Sequence, residues 1–327
     1  MSPFFSICIP VFNGEIYLTE CLDSALSQNF TDFEIIIVDD SSTDSSYSIL
    51  EEYQKKDLRI KLFRNKSNLG LVNNWNMCIS KASGKWIKFL LQDDIWLPNC
   101  LYKTFQFTSD NDFIFHKREF IFQEYIESRF FDFYTSDLVN DFPALRRGGI
   151  FKSSEISTFV SQFPGFNFFG EPSNVAFKNE LIPLLGYYNS KLIQLCDYEF
   201  FVRIASNRGA YFIPEILSKF RIHNNSTSTS NMLSKNIRFD HLDLLIIINL
   251  FTKLAIYKNL RFYWENNNLK DLYKKKEFLL TDLYHTLIRQ ERLQIKKQIK
   301  IYAPFAFHNV IWKNTLKKYI KKLFKNN

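Results

Sequence analysis

The chain has 327 residues, of which 46% are hydrophobic, 23% charged and 17% aromatic, a composition that supports a sizeable core and excludes a low-complexity protein. The net charge of +8 is uneven: ten basic residues and no Asp or Glu lie from Arg292 onward, and the remaining chain carries 32 basic against 34 acidic residues, which argues against nucleic acid as a partner of the body. The five cysteines, Cys8, Cys21, Cys78, Cys100 and Cys196, are scattered without a CxxC pair and read as small buried hydrophobes in a reducing compartment. The N-terminus lacks the basic and apolar regions of a signal peptide. The most apolar later stretch, 242–257, is interrupted by Asp243, Asn249 and Lys253 and is too short to span a bilayer. A cytoplasmic protein is expected.

Residues 6–11 (SICIPV) form a short β-branched run, the signal of a buried strand, and Phe12-Asn13-Gly14 turns the chain. Helical spacing follows over 15–28. A second apolar run, 33–38 (FEIIIV), stops at Asp39-Asp40-Ser41-Ser42, and 43–53 reads as a helix with a polar N-cap. A third strand is expected over 60–63, a turn at Asn68-Leu69-Gly70, a helix over 71–82 and a fourth strand over 86–91 that ends at Asp93-Asp94. Such alternation with continuous apolar strands predicts a parallel sheet covered on both faces. Ligands bind such sheets beyond the carboxyl ends of the strands, where Phe12-Asn13, Asp39-Asp40 and Asp93-Asp94 all fall.

Adjacent carboxylates at a strand end repel one another, and a divalent cation offsets that repulsion, since hard oxygen ligands suit Mg²⁺ or Mn²⁺. Such sites take one or two carboxylates and complete the shell with water and substrate phosphates, so Asp93-Asp94 reads as a metal–diphosphate site. On these residues alone an Asp-rich turn explains the stretch equally well. There is no GxGxxG after the first strand and no GxxxxGK[ST], so a nucleotide would have to be held by carboxylates and a metal.

The middle, 112–150, alternates Phe and Tyr with charges and suggests strands or a hairpin; 152–163 suggests a helix. Gly170-Glu171-Pro172-Ser173 is a turn. A helix starts near 195 with Asp197 and Glu199 in its first turn, as the helix dipole favours. Strand-like runs over 211–222 precede a polar segment that begins at His223. Beyond Asn231 the chain reads as helical, over 236–257, 269–289 and 310–324, the last with Trp312, Leu316, Ile320 and Phe324 on one face and lysines on the other. The expected domains are 1–231 and a helical C-terminal region, 232–327.

Together these residues resemble a known family. SICIPVFNGEIYLTECLDSALSQNFTDFEIIIVDDSSTD and NLGLVNNWNMCISKASGKWIKFLLQDDIWLP look like the N-terminal half of the family 2 glycosyltransferases of the GT-A fold. GEPSNVAFK, LCDYEFFVRI and FRIHNNSTS look like the acceptor-side half, so the likeness covers roughly 4–230. It implies a Rossmann-like α/β sheet and an inverting, metal-dependent transfer of a hexosyl or N-acetylhexosaminyl group. The donor would be a nucleotide-diphosphate sugar, UDP before dTDP or GDP, and the acceptor a hydroxyl of a lipid-linked or surface glycan. By the same resemblance, Phe12 would stack by the base in a pocket shaped by Pro10 and Asn13. Asp40, with Asp39, would accept a hydrogen bond from the base, and Asp93 would approach the ribose or a metal-bound water. Asp94 would ligate Mn²⁺ or Mg²⁺, His223 would be a second ligand or a diphosphate contact, and Asp197 would be the general base.

Plainer readings stay open beside these. Asp197 also fits as a helix-start carboxylate, His223 as an ordinary loop or core histidine, and Glu171 as a turn residue. The chain departs from the family pattern in three places. Cys196 stands where an acidic residue is common, Phe12 where Tyr is frequent, and Asn74-Trp75-Asn76 where an Arg-Asn pair is usual. The basic amphipathic tail suggests peripheral contact with the inner face of the cytoplasmic membrane.

Overall fold

The computed structural model describes residues 2–123, 147–224, 226 and 239–267. The expected helices at 269–289 and 310–324, and the expected domain boundary at 231, lie outside the described residues. The four expected strands form as β1 (Phe5–Val11), β2 (Phe33–Asp39), β3 (Ile60–Arg64) and β4 (Trp86–Phe89). They pair in parallel in the order β3-β2-β1-β4. Every residue of β1, β2 and β4 is buried, as a sheet covered on both faces requires of continuous apolar runs.

Alternate side chains divide between two cores. On one face Ile7, Ile9, Ile35 and Ile37 meet α1 (Leu18–Leu26), α2 (Ser46–Lys56) and α4 (Cys100–Phe105). On the other Cys8, Ile36, Val38 and Ile87 meet α3 (Leu71–Lys81). Two helices start later than their periodicity suggests, and the reason is a loop-to-loop exchange. Asn13 Oδ1 accepts from Thr43 N–H at 2.9 Å, and Glu15 accepts from Ser45 N–H at 2.8 Å. Residues 13–15 and 43–45 are therefore committed to each other before either helix begins.

The fourth strand is also shorter than expected. Leu90 N–H still reaches Cys8, but Leu91 N–H donates to Ser173 Oγ at 3.0 Å, which draws the chain out of the ladder. Pro10 fits the same geometry. Cys8 and Pro10 face the β4 side of β1, and pairing with β4 ends at Cys8, so the missing Pro10 N–H costs no ladder bond.

The sheet continues beyond β4 as β8 (Val175–Lys178), β6 (Phe113–Phe122), β9 (Ala210–Ile222) and β5 (Ile95–Trp96), with β7 (Gly149–Phe151) on β9. β8 is antiparallel to both neighbours, whereas β6 and β9 are parallel. The β6–β9 register skips Pro214 and Glu215, since Pro cannot donate to the ladder. The later helices are α5 (Ser153–Gln162), α6 (Ile182–Leu185), α7 (Cys196–Arg208), α8 (Phe239–Lys253) and α9 (Lys258–Asn267). They pack on the α3 face, where Ile247, Phe251 and Trp264 share one core with Val160, Phe200 and Phe113. A buried polar knot adds to this contact: Glu199 pairs with Arg203 at 3.0 Å and accepts from the Tyr257 hydroxyl.

Candidate functional site

The carboxyl ends of β1, β2 and β4 share one edge of the sheet, and the end of β9 reaches them because β5, directly after Asp94, pairs with β9. Each acidic pair splits into different tasks. Asp39 is fully buried, bonded to Arg64 Nε at 3.1 Å and to the Ser42 N–H. Asp40 is also buried, and its carboxylate accepts from Asn65 Nδ2 and from the N–H groups of Leu69 and Gly70, at 2.7–2.9 Å. The two aspartates thereby fix the 41–45 and 65–70 loops, which follow β2 and β3 on the β2 side of Phe12. Phe12 itself is 44% exposed, a large apolar ring held at the rim by its backbone. Gln92 clamps that backbone, accepting from the Phe12 N–H at 2.9 Å and donating to its carbonyl at 3.1 Å. Asn13 adopts φ 49°, the left-handed region that Asn tolerates, and donates its N–H to Ser42 Oγ.

Asp93 and Asp94 point in different directions. Asp94 is fully buried: its oxygens accept from Ser173 Oγ at 2.5 Å and from the Arg221 N–H at 3.1 Å. Burial and the neighbouring Asp93 charge push its carboxyl well above the usual range. Asp93 stays partly exposed and lies 3.0 Å from His223 Nε2. The Tyr17 ring sits 5.0 Å from the imidazole, and Arg221 locks the corner by donating to the Asp93 carbonyl at 3.0 Å and pairing with Glu20 at 2.5 Å. Thus Asp93 and His223 come together while Asp94 is withdrawn beneath them. A carboxylate oxygen and an imidazole nitrogen at this separation suit one divalent cation whose remaining positions go to water and phosphate oxygens. Among the described residues no cluster of three or more His, Cys, Asp or Glu side chains forms a closed metal cage.

Asp197 stands half-buried in the first turn of α7. Its oxygens accept from the Tyr198 N–H at 2.7 Å and from Asn167 Nδ2 at 3.1 Å. Burial pushes its carboxyl up to about 7, and the carboxylates of Glu171 and Asp243 add to the rise. A carboxylate that titrates near neutrality is suited to accept a proton from a hydroxyl. The 171–174 turn links this side of the site to the other. Glu171 pairs with Arg118 of β6, while Ser173 holds Asp94. Gly170, at φ +86°, opens that turn, and a Cβ there would collide with the Asn174 amide and come within 2.9 Å of Arg118 Nη1. Gly170→Ala is therefore expected to destabilise the protein by about 1–3 kcal/mol, measured as a lower midpoint in urea unfolding.

Several of these residues carried no signal by themselves in the sequence. Ser173, Gln92 and Asn167 are ordinary polar residues whose partners lie far along the chain. Arg221 had a faint one: it sits two positions before His223, hence on the same side of an extended strand.

The likenesses to known proteins agree with this arrangement. The model of glycosyl transferase family 2 matches residues 6–167. An uncharacterized glycosyltransferase of Haemophilus influenzae is 26% identical over 330 residues, covering 93% of this chain and 96% of that one. Among solved structures, S. aureus TarS 1-349 in complex with UDP-GlcNAc aligns with a TM-score of 0.59 and 18% identity over 85% of this chain and 80% of that one. The mannosyltransferase PcManGT from Pyrobaculum calidifontis, in complex with GDP-Man and Mn²⁺, aligns with a TM-score of 0.58 and 14% identity over 100% of this chain and 89% of that one. Parallel strands ending in this acidic rim, the family match and the full-length relative lead to one conclusion: the chain is a glycosyltransferase of family 2, built on the GT-A fold.

Proposed function

We propose that the protein is an inverting, metal-dependent transferase that moves a hexosyl or N-acetylhexosaminyl group from a UDP-sugar to a hydroxyl of a lipid-linked or surface glycan. The observation that carries the reading is the Asp93–His223 pair, 3.0 Å apart at the rim, with Gln92, the residue before Asp93, clamping the backbone of the exposed Phe12. In this reading Phe12 stacks on the base, and Asn13, Pro10, Asp39 and Asp40 shape and hold its pocket, the two aspartates through the loops they fix. Asp93 and His223 hold Mn²⁺ or Mg²⁺, and Asp94 orients them from below. When bound, the cation neutralises charge on the leaving diphosphate. Asp197 takes the proton of the acceptor hydroxyl from the opposite side of the sugar, the geometry an inverting displacement needs.

TarS with UDP-GlcNAc and PcManGT with GDP-Man and Mn²⁺ support a nucleotide-sugar donor and a cation here. The glycan acceptor, the cytoplasmic location and a peripheral membrane contact through the basic tail rest on the sequence. No helix among the described residues is long and apolar enough to cross a membrane.

The test is a thermal-shift panel of UDP-, dTDP- and GDP-sugars with and without Mn²⁺. A ligand that binds only the native state raises the melting temperature in proportion to RT ln(1 + [L]/Kd). UDP-sugars are expected to raise it only with the metal. A shift that is equal with and without Mn²⁺ would remove the metal from the reading, and a shift confined to GDP-sugars would replace the donor.

A further inference from the structure

The loop that leads into α7 turns three successive backbone N–H groups onto a single oxygen. Ile193, Gln194 and Leu195 donate to Asp243 Oδ2 at 2.8, 2.5 and 2.8 Å. Asp243 is fully buried on α8, about fifty residues further along the chain. A buried carboxylate is costly without partners, and charge-assisted bonds from converging N–H groups are what offsets that cost. The bonds have a specific destination. Leu195 is the N-cap of α7, its carbonyl accepts the Glu199 N–H at 3.1 Å, and Asp197 is the second residue of that helix.

Simple attachment of the later helices to α7 does not require Asp243. The Glu199–Arg203–Tyr257 knot and the shared apolar core already join them. Asp243 bonds instead to the irregular backbone just ahead of Asp197, the part of the loop with no ladder or helix to hold it.

We propose that Asp243 is a positioning residue for the transfer reaction: it fixes the 193–195 backbone and thereby the direction in which the Asp197 carboxylate leaves the first turn of α7. The inference rests on Asp197 being the general base. It also means that α8 is part of the catalytic apparatus and not an appendage to it.

The groups facing Asp197 define what a pH measurement will read. Glu171 lies on the turn and is paired with Arg118 of β6, and Asp243 lies on α8. Tyr188 and Cys196 are held protonated by burial, with the Asp197 charge adding to the effect. Asp243→Asn removes one of the two negative charges that favour the protonated form of Asp197. Asp243→Glu keeps the charge and displaces the acceptor by one methylene.

The experiment measures UDP release from UDP-N-acetylglucosamine with Mn²⁺, or from whichever sugar nucleotide of the panel gives the largest shift, across pH 5.5 to 9 on the full chain. Donor affinity is measured by calorimetry in parallel. Asp243→Asn is expected to lower kcat by roughly 10²-fold, the scale of a misplaced catalytic group, with donor affinity unchanged and the acid limb moved to lower pH. Asp243→Glu is expected to lower kcat with the limb unmoved. Full kcat and an unmoved limb in both variants, with Asp197→Asn inactive, would overturn the Asp243 role and leave the base assignment standing. Turnover retained in Asp197→Asn would overturn the base assignment and the Asp243 role with it. Should Asp243→Asn not fold, Asp243→Glu decides by kcat against donor affinity: a lowered kcat at unchanged affinity upholds the role, and full kcat overturns it.

Discussion

Asp197→Asn is expected to lower transfer by roughly 10²–10⁴-fold, the contribution of a positioned general base, while metal-dependent binding of the donor stays intact. Asparagine preserves the shape and can still accept the Tyr198 N–H, but it cannot take a proton. The wild-type rate should fall on the acid side of about pH 7, because burial and the Glu171 and Asp243 charges hold the Asp197 proton up to that point. The sign for stability is opposite to that for activity. The folded-state value of about 7 lies above the ordinary 3.8, so the folded chain binds more protons than the unfolded one between these values. Stability therefore declines as pH rises from about 4 to about 7, and Asp197→Asn escapes that decline. An inactive variant that melts no lower than the parent at pH 8 is the expected outcome, checked by activity and melting on one preparation. A variant that loses donor binding along with activity would count against the base role.

The second large effect is expected at the rim pair. Asp93→Ala and His223→Ala should each abolish the Mn²⁺-dependent part of the thermal shift and lower kcat/KM by roughly 10²–10³-fold, the scale of losing one preorganised electrostatic contact to a leaving group. Asp94→Ala should behave differently. It leaves the Ser173 hydroxyl proton and the Arg221 N–H without their acceptor in a buried site, and the expected loss is about 1–3 kcal/mol of stability. Isothermal titration with Mn²⁺ and UDP, beside urea unfolding of the same three variants, separates the two kinds of effect. Metal-dependent binding that survives Asp93→Ala but not a folded Asp94 variant would return the ligand role to Asp94.

The β-branched runs at 6–11 and 33–38, the helical periodicity between them and the polar residues that stop each run were legible in the sequence, and so was the family. Those features are local: strand and helix periods depend on side chains two to four positions apart, and a covered parallel sheet follows from strands with no polar face. The sequence likewise placed the acidic pairs at the rim, since a strand must end where its apolar run ends. The resemblance assigns the metal to Asp94 and the ribose or a metal-bound water to Asp93, but the residues alone do not show that Asp94 is the one buried and Asp93 the one that meets His223. Adjacent residues leave a loop in different directions, and which one sinks depends on partners that arrive from elsewhere. Ser173 and Arg221, 79 and 127 residues beyond Asp94, claim its oxygens, and Asp93 is left to meet His223. Asp243 was read only as a charge interrupting an apolar stretch. Its three N–H partners lie 48 to 50 residues earlier, and only the packing of α8 into the apolar core shared by the later helices brings them within reach.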